Sequence, residues 1–439
     1  MLKVVKFGGS SLASAEQFKK VKKIITADES RRYVVPSAPG KRFPSDTKIT
    51  DMLYQCYKMA ICEKDFTSQL EKIKKRYDEI IEGLGLELSL EEEFAVIRDN
   101  FAKKAGRDYA ASRGEYLNGI VISAYLGFEF IDAADVIFFG ENGALDMERT
   151  NEALKERLST MDCAVVPGFY GRNANGKIQT FSRGGSDITG SLVARAVMAD
   201  MYENWTDVSG FLIADPRIVD NPKPIDAITY KELRELSYMG ATVLHEDAIF
   251  PVRKAGIPIN IRNTNAPEDK GTLIVESTCR KSKYTITGIA GHCGFASINI
   301  EKAMMNNEIG FGRKVLEVFE NNCISFEHIP SGIDTMTIFV QQKDFEEKEQ
   351  KVLAELHRAV DPDMIELETD LALIAVVGRG MRATRGTAGR IFSALAHANI
   401  NIRMIDQGSS ELNIIIGVRS NDFESAIKAI YDIFVITEL

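Results

Sequence analysis

The chain is 439 residues long, 45% hydrophobic and 27% charged, with a formal net charge of −9 and an isoelectric point near 5.4. That length suffices for a sizeable core and roughly two to four domains, and the acidic balance argues against a nucleic-acid or membrane-surface partner, whose footprint would be basic. No apolar run approaches the roughly 18 residues of a membrane span, and the six scattered cysteines include no Cys-x-x-Cys pair, which together predict a cytoplasmic protein with reduced, mostly structural thiols.

The first element is a short β-branched strand, Val4-Val5-Lys6-Phe7, that runs through Gly8-Gly9-Ser10-Ser11 into a helix. Two glycines let the backbone approach an anion, and the helix start offers unpaired N–H groups and the positive end of its dipole. Lys6 stands where it adds a full positive charge; a lone Gly-Gly pair is otherwise an ordinary surface turn. Strand-like runs follow at Arg32 to Val35, Ala133 to Phe139, Cys163 to Pro167, Met201 to Trp205 and Pro258 to Ile261. Between them lie segments such as Phe66, Leu70, Ile73, Tyr77 and Ile80, whose spacing puts them on one helical face. This alternation, which lasts to about Val275, predicts a largely parallel sheet covered by helices on both faces. Ligands of such sheets gather at the strand C-terminal ends.

Several polar clusters fall at those ends. Ser37 comes just past a buried-type strand, and Ser112-Arg-Gly-Glu115 starts a helix, where Glu115 on its own reads as a solvated acid. A second glycine turn, Ser182-Arg-Gly-Gly-Ser-Asp-Ile-Thr-Gly190, opens a helix over 191–200. There Arg183 and the Gly-Gly N–H groups form an anion cradle, with capping of the helix by Ser186 and Asp187 as the plain alternative. Trp205-Thr-Asp-Val-Ser-Gly210 and Asp215-Pro-Arg217 end another strand with two acids, a threonine and an arginine.

After Val275 the segment Glu276 to Tyr284 turns polar and basic, a linker, and beyond it the chain repeats itself. Cys323-Ile-Ser-Phe-Glu-His-Ile329 aligns with Asn399-Ile-Asn-Ile-Arg-Met-Ile405, and Thr335-Met-Thr-Ile-Phe-Val340 with Glu411-Leu-Asn-Ile-Ile-Ile416, at one common offset. Helices over 313–320 and 388–397 precede the copies, so the tail reads as two small α+β modules from a duplication. Other chemistries find no support: no P-loop exists, because Gly190 is followed by Ser191. Gly378-Arg-Gly-Met-Arg-Ala383 imitates a dinucleotide fingerprint but lies inside the repeat. His245, His292 and the other histidines lack metal-ligand spacing, and there is no nucleophile elbow.

In order, Lys6-Phe-Gly-Gly-Ser-Ser, Ser37-Ala38, Arg113-Gly-Glu115, Ser182-Arg-Gly-Gly-Ser-Asp187, Trp205-Thr-Asp207 and Asp215-Pro-Arg217 resemble the aspartokinases, and the resemblance covers essentially the full length. It implies an α/β fold: an amino acid kinase-like three-layer sandwich with a mainly parallel sheet, plus two C-terminal ACT-like α+β domains. The implied division is 1–275 for the catalytic domain, 276–284 for the linker, and 285–375 and 376–439 for the ACT-like domains, or an interleaved pair in which 285–301 joins the second. The implied activity is ATP-dependent phosphorylation of the side-chain carboxylate of L-aspartate to 4-phospho-L-aspartate, the first step of the lysine, threonine and methionine branch. Lys6 would stabilise the transferring phosphoryl group and Asp187 would orient Lys6. Arg183 would clamp the substrate α-carboxylate and Glu115 its ammonium, with Ser37, Thr50 and Ser186 hydrogen-bonding it. Gly8, Gly9, Ser10, Thr206, Asp207, Asp215 and Arg217 would hold the nucleotide, with Mg²⁺ carried mainly by phosphates and water and no protein metal site. Met305, Phe311, Gly312, Ser325, Phe326 and Glu327 resemble the lysine pocket of lysine-sensitive members, with threonine as a second candidate effector, and the family implies a homo-oligomer, a dimer or tetramer.

The chemistry suits these residues independently. A carboxylate of pKa about 3.9 is ionised at neutral pH, so it needs no general base, and catalysis falls to positioning and positive charge. Three departures stand out: Thr242 replaces a usual nucleotide-contacting lysine, Gly40-Lys-Arg-Phe-Pro44 is extra and leaves Thr50 an uncertain match, and Glu327 replaces an aspartate. The rival readings are another amino acid kinase, acting on acetylglutamate, glutamate, carbamate or UMP, and an amino-acid sensor that has lost activity. The duplicated tail and the zwitterion-suited pair of Glu115 and Arg183 oppose the first, and the presence of Lys6 and Asp187 opposes the second.

Overall fold

The β-branched runs at Val4-Val5, Val34-Val35 and Ile259 to Ile261 become strands of one sheet in the computed structural model, which describes residues 1–182, 184–241, 244, 249–278 and 283–436. The chain divides into two compact units, Met1–Phe211 with Pro224–Tyr230 and Val243–Thr278, and Leu212–Lys223 with Lys231–Thr242 and Cys279–Leu439.

In the first unit the strands are β1 (Lys3–Phe7), β2 (Arg31–Pro36), β3 (Glu129–Phe130), β4 (Ala164–Val165), the small hairpin β5 (Tyr170–Arg172) and β6 (Ile178–Thr180), then β7 (Met201–Thr206), β8 (Ala227–Thr229), β9 (Ile259–Asn263) and β10 (Thr272–Val275). All but the hairpin form an eight-stranded sheet in the order β3-β4-β2-β1-β7-β9-β10-β8. Every pairing in it is parallel except β9 with β10. The helices are α1 (Ala15–Thr26), α2 (Ile49–Ile61), α3 (Thr67–Leu84), α4 (Glu91–Ala102), α5 (Arg107–Leu126), α6 (Ala133–Val136), α7 (Met147–Leu158) and α8 (Gly185–Ala196), then α10 (Ile249–Lys254); α9 (Tyr230–Tyr238) belongs from Lys231 onward to the second unit.

The period-2 alternation of β1 sorts the two faces of this sheet. Val5 and Phe7 point into a core shared with Val34, Trp205 and apolar residues of α1 to α5, such as Phe18, Leu53, Ile73, Phe94 and Val121. Phe7 and Trp205 stack there with centroids 6.1 Å apart. Glu203 lies two residues before Trp205 on β7, on the same strand face, and is also buried. It accepts from Arg31 Nε at 2.8 Å and from Trp205 Nε1 at 2.9 Å. Burial pushes its carboxyl up, but the bonds from Arg31 and the charge of Lys3 outweigh that and leave it below its usual value. Even-numbered residues of β1 face α8 instead, and this second face carries the candidate site.

In the second unit β11 (Gly288–Glu301), β12 (Phe326–His328), β13 (Thr335–Gln341), β14 (Met364–Val377), β15 (Met404–Asp406) and β16 (Asn413–Arg419) form a six-stranded sheet in the order β12-β13-β11-β14-β16-β15, antiparallel throughout. The helices are α11 (Phe311–Asn321), α12 (Gln342–Phe345), α13 (Glu349–Val360), α14 (Thr387–His397) and α15 (Phe423–Tyr431). Within β11, residues 295–301 pair with β13, whereas 288–293 pair with the half of β14 that also carries β16. Ile298, Ile300, Ile338 and Val340 meet Val315, Phe319, Val352 and Leu356 in one apolar core.

Several expectations need correction. Ala133 to Phe139 is not a strand: Asp132 caps the turn by accepting from the Ala134 N–H at 2.9 Å, and only isolated bridges remain at Phe138 and Phe139. The repeat strands are shorter than the aligned runs, because Cys323 and Asn399 both adopt positive φ just after their helices and delay the extended segments to Phe326 and Met404. The helix expected over 191–200 begins at Gly185. Of the cysteines, Cys56 is buried while Cys62, Cys293 and Cys323 are exposed, so most are not core thiols; Cys279, like His245 and Thr242, lies outside the described residues.

Candidate active site

Parallel register sets Lys6 of β1 directly beside Asn204 of β7 and Val4 beside Tyr202. The same face receives the N-terminal turn of α8, whose preceding residue Gly184 adopts φ 59°, a conformation glycine takes without strain. Lys6 Nζ lies 2.6 Å from Asp187 Oδ1 and donates to Asn204 Oδ1 at 3.4 Å. Asn204 Nδ2 donates to Asp187 Oδ1 at 2.8 Å, and Tyr202 Oη donates to the Asp187 backbone carbonyl at 3.1 Å. The N-cap position is Gly184, which has no side chain to offer, and Asp187 spends its carboxylate on Lys6 and Asn204 rather than on the helix start. Lys6 is 8% exposed. A buried ion pair is at best a weak stabiliser once desolvation is counted, so this one has chemistry as its better explanation.

The glycine turn is held from both sides. The Gly8 N–H donates to the Trp205 carbonyl at 2.9 Å and the Gly40 N–H to the Gly9 carbonyl at 2.8 Å. A Cβ on Gly9 would stand 2.8 Å from the Ala38 carbonyl oxygen, and one on Gly8 would reach Lys6 Nζ at 3.8 Å. Ser10 follows in the short helical turn Gly9–Leu12. Gly40 and the segment after it are anchored by the buried Arg76, which donates to the carbonyls of Gly40 and, at 2.7 Å, Thr47, and pairs with Asp46 at 3.4 Å. Thr50 is half-buried in the first turn of α2. The Ser37 N–H donates to the Phe7 carbonyl at 3.0 Å, and Asn118 Nδ2 donates to the Ser37 carbonyl at 2.6 Å.

Glu115 is 6% exposed and sits in the third turn of α5, not at a helix start. The solvated-acid reading is therefore wrong: most of α5 from Ala110 to Ser123 is buried, a helix with no polar face to place an acid on. Burial pushes the carboxyl up to about 8, against opposing hydrogen bonding from the Ala38 backbone, and among the described residues Glu115 Oε2 has no hydrogen-bond partner. A buried acceptor without a donor is costly, and an ammonium group is the donor that suits it. Ser186 is buried, packed so closely on Gly168 that a Cβ there would stand 2.6 Å from Ser186 Cβ. Arg183 lies outside the described residues. Thr206 Oγ1 donates to Asp207 Oδ1 at 3.1 Å. Asp215 and Arg217 fall in the second unit and pair with each other at 2.6 Å, the bond from Arg217 holding the Asp215 carboxyl below its usual range.

Residues 1–263 match the model of the amino acid kinase family, and residues 374–434 match an ACT domain. Aspartokinase 3 of Bacillus subtilis (strain 168) is 40% identical over 99% of this chain and 98% of its own length. The chain belongs to the aspartokinase family. A crystal structure of Clostridium acetobutylicum aspartate kinase superposes with a TM-score of 0.91 at 52% identity, covering 99% of each chain. That of Escherichia coli aspartokinase III in complex with lysine and aspartate superposes at 0.73 with 25% identity, over 98% of this chain and 99% of the other.

As an aspartokinase the protein is an ATP-using kinase of aspartate, and Lys6, Asp187 and Glu115 lie at the strand ends and helix faces described above. Asn204, Asn118 and Arg76 escaped sequence reading; each acts on a residue far away in the chain, and nothing local marks them. The positions expected to form an effector pocket divide. Met305 and Phe311 are closed into the apolar core and do not line an open pocket. Gly312 packs near Met336, Ser325 and Phe326 are exposed, and Glu327 is half-buried. Glu327 accepts from Gln341 Nε2 at 3.0 Å and from Tyr238 Oη at 2.5 Å.

Proposed function

We propose that the chain transfers the γ-phosphoryl group of ATP to the β-carboxylate of L-aspartate, giving 4-phospho-L-aspartate. The observation that carries this reading is the buried contact of Lys6 with Asp187 beside the Gly8-Gly9 turn. Both reactants are anions, so the barrier is anion meeting anion and the remedy is fixed positive charge in a site that water does not screen. Lys6, oriented by Asp187, supplies that charge at the phosphoryl group, while the backbone N–H groups of Gly9 and Ser10 receive phosphate oxygens; the Gly8 N–H is spent on the Trp205 carbonyl, and Gly8 serves the nucleotide by letting it approach without a side chain. Glu115 takes the substrate ammonium and Arg183 its α-carboxylate, with Ser37, Thr50 and Ser186 as further donors. Thr206, Asp207, Asp215 and Arg217 are assigned to the nucleotide by family resemblance. Mg²⁺, the usual companion of ATP, would be held mainly by the nucleotide's phosphates and water and would add positive charge at the transferred group.

The reaction opens the lysine, threonine and methionine branch in the cytoplasm, and the C-terminal part acts as a pair of ACT-like modules that receive lysine, with threonine as a second effector. The pairing of residues 288–293 with the β14–β16 half of the sheet supports an interleaved pair. A homo-oligomer, dimer or tetramer, accounts for the exposed Ile309, Phe326 and Ile333 on the first of these modules. Assay with MgATP and L-aspartate in hydroxylamine, which traps an acyl phosphate as hydroxamate, tests the activity directly. Aspartyl hydroxamate should form, and Lys6→Met should lower kcat by about 10²-fold or more with the fold intact. No hydroxamate from the parent protein would refute the reading.

A further inference from the structure

Asn204 lies at the meeting point of the two groups assigned to phosphoryl transfer, and it is only 3% exposed. Its amide has one orientation that satisfies both neighbours, because an ammonium only donates and a carboxylate only accepts. The oxygen therefore faces Lys6 Nζ at 3.4 Å and the nitrogen donates to Asp187 at 2.8 Å. We infer that Asn204 is a positioning residue for phosphoryl transfer, a neutral bridge that fixes the Lys6–Asp187 pair without adding charge to it. The inference rests on the roles proposed for Lys6 and Asp187.

Three features separate this from ordinary packing. First, the charge balance depends on neutrality: Lys6 and Asp187 cancel, so a carboxylate at 204 would leave the site net negative where phosphates must enter. Second, Lys6 has three N–H bonds, and Asp187 and Asn204 engage two, leaving one for an incoming anion. Third, Asp187 is fixed twice from β7, by Tyr202 Oη on its backbone and by Asn204 on its carboxylate. These two β7 residues share a strand face, so the strand acts as a rigid ruler against the start of α8. The polar groups of the cluster are thus Lys6 from β1, Tyr202 and Asn204 from β7, and Asp187 from α8.

The test compares kcat and KM of the full-length enzyme from pH 6 to pH 8.5 in the parent, Asn204→Asp and Lys6→Met. In Asn204→Asp two carboxylates replace the amide–carboxylate contact, so one proton is shared between them as the pH falls and restores the bridge. The ratio of variant to parent kcat should be depressed tenfold or more at pH 8.5 and recover at least fivefold by pH 6. A ratio that stays flat with pH overturns the inference, whatever its size, since a merely structural loss would not track protonation. Should Asn204→Asp fail to fold, Asn204→Ser carries the test. A kcat at least fivefold lower with both KM values within twofold supports the bridge, and an unchanged kcat overturns it. If Lys6→Met inactivates while the Asn204 variants match the parent, only this inference fails. If Lys6→Met is fully active, the underlying assignment of Lys6 fails.

Discussion

Glu115 is a carboxyl that keeps its proton to about pH 8 because it is buried. An ammonium ligand needs the ionised form, so aspartate should bind better as the pH rises. In the range where the neutral acid dominates, KM for aspartate falls by up to tenfold per pH unit, levelling near pH 8. Glu115→Gln has no charge to gain; its KM should be raised and flat from pH 6 to 8. The same residue leaves a mark on stability. Its unfolded carboxyl titrates near the ordinary 4.5 and its folded one near 8, so between those values the folded state holds a proton that the unfolded state has released. Unfolding therefore becomes easier as the pH climbs through that window, and the Gln variant lacks this part of the slope. Aspartate KM and thermal unfolding, each followed against pH in both proteins, check the argument; parallel curves would remove Glu115 from the ammonium site.

At the scale of elements, the Gly8-Gly9 turn works only because the chain after β2 returns to lie against it. A Cβ on Gly40 would stand 2.6 Å from the Gly9 carbonyl carbon and 2.8 Å from the Ser10 nitrogen, both backbone atoms with no rotamer to yield. Gly40→Ala should therefore cost about 1–3 kcal/mol, displace the turn and raise KM for ATP several-fold. Phe43→Ala, at an exposed position in the same segment, should change neither the unfolding transition nor that KM. This contact also marks where sequence reading stops. The strands β1, β2 and β7 were legible because their β-branched and aromatic runs sit between glycine turns, and the order of those turns carried the family resemblance. The segment 133–139 looked like a strand because its apolar content is high, but a single Asp132 cap tips its first residues into a turn. Glu115 could not be read correctly because a helix buried all round shows no periodicity. Asn204 stayed hidden for a different reason: its partner Lys6 lies 198 residues away, and only strand register brings them together.

For the molecule as a whole, the informative feature is that residues 231–241, which sit within the kinase stretch of the sequence, fold as part of the second unit. Helix α9 is gripped there at three points. Glu232 accepts from Thr287 Oγ1 at 2.6 Å and Arg379 Nη1 at 2.8 Å, Glu235 accepts from Asn413 Nδ2 at 2.6 Å, and Tyr238 donates to Glu327. The Gly378-Arg-Gly segment that imitated a dinucleotide fingerprint thus has a structural use, since its Arg379 neutralises a buried acid. If Glu327 receives the ammonium of an effector, that ligand meets a carboxylate already occupied by the Tyr238 hydroxyl. Removing the hydroxyl should then free the carboxylate: Tyr238→Phe should be inhibited by lysine at concentrations about fivefold lower, the equivalent of roughly 1 kcal/mol for one hydrogen bond. Glu327→Ala should lose lysine inhibition while its uninhibited kcat stays within twofold. Lysine should also raise the melting temperature of the parent by mass action and leave that of Glu327→Ala unmoved. Inhibition curves for lysine and threonine, alone and together, measure both variants against the parent. A Tyr238→Phe enzyme with an unchanged or weakened response would show that the Tyr238–Glu327 contact does not compete with the effector.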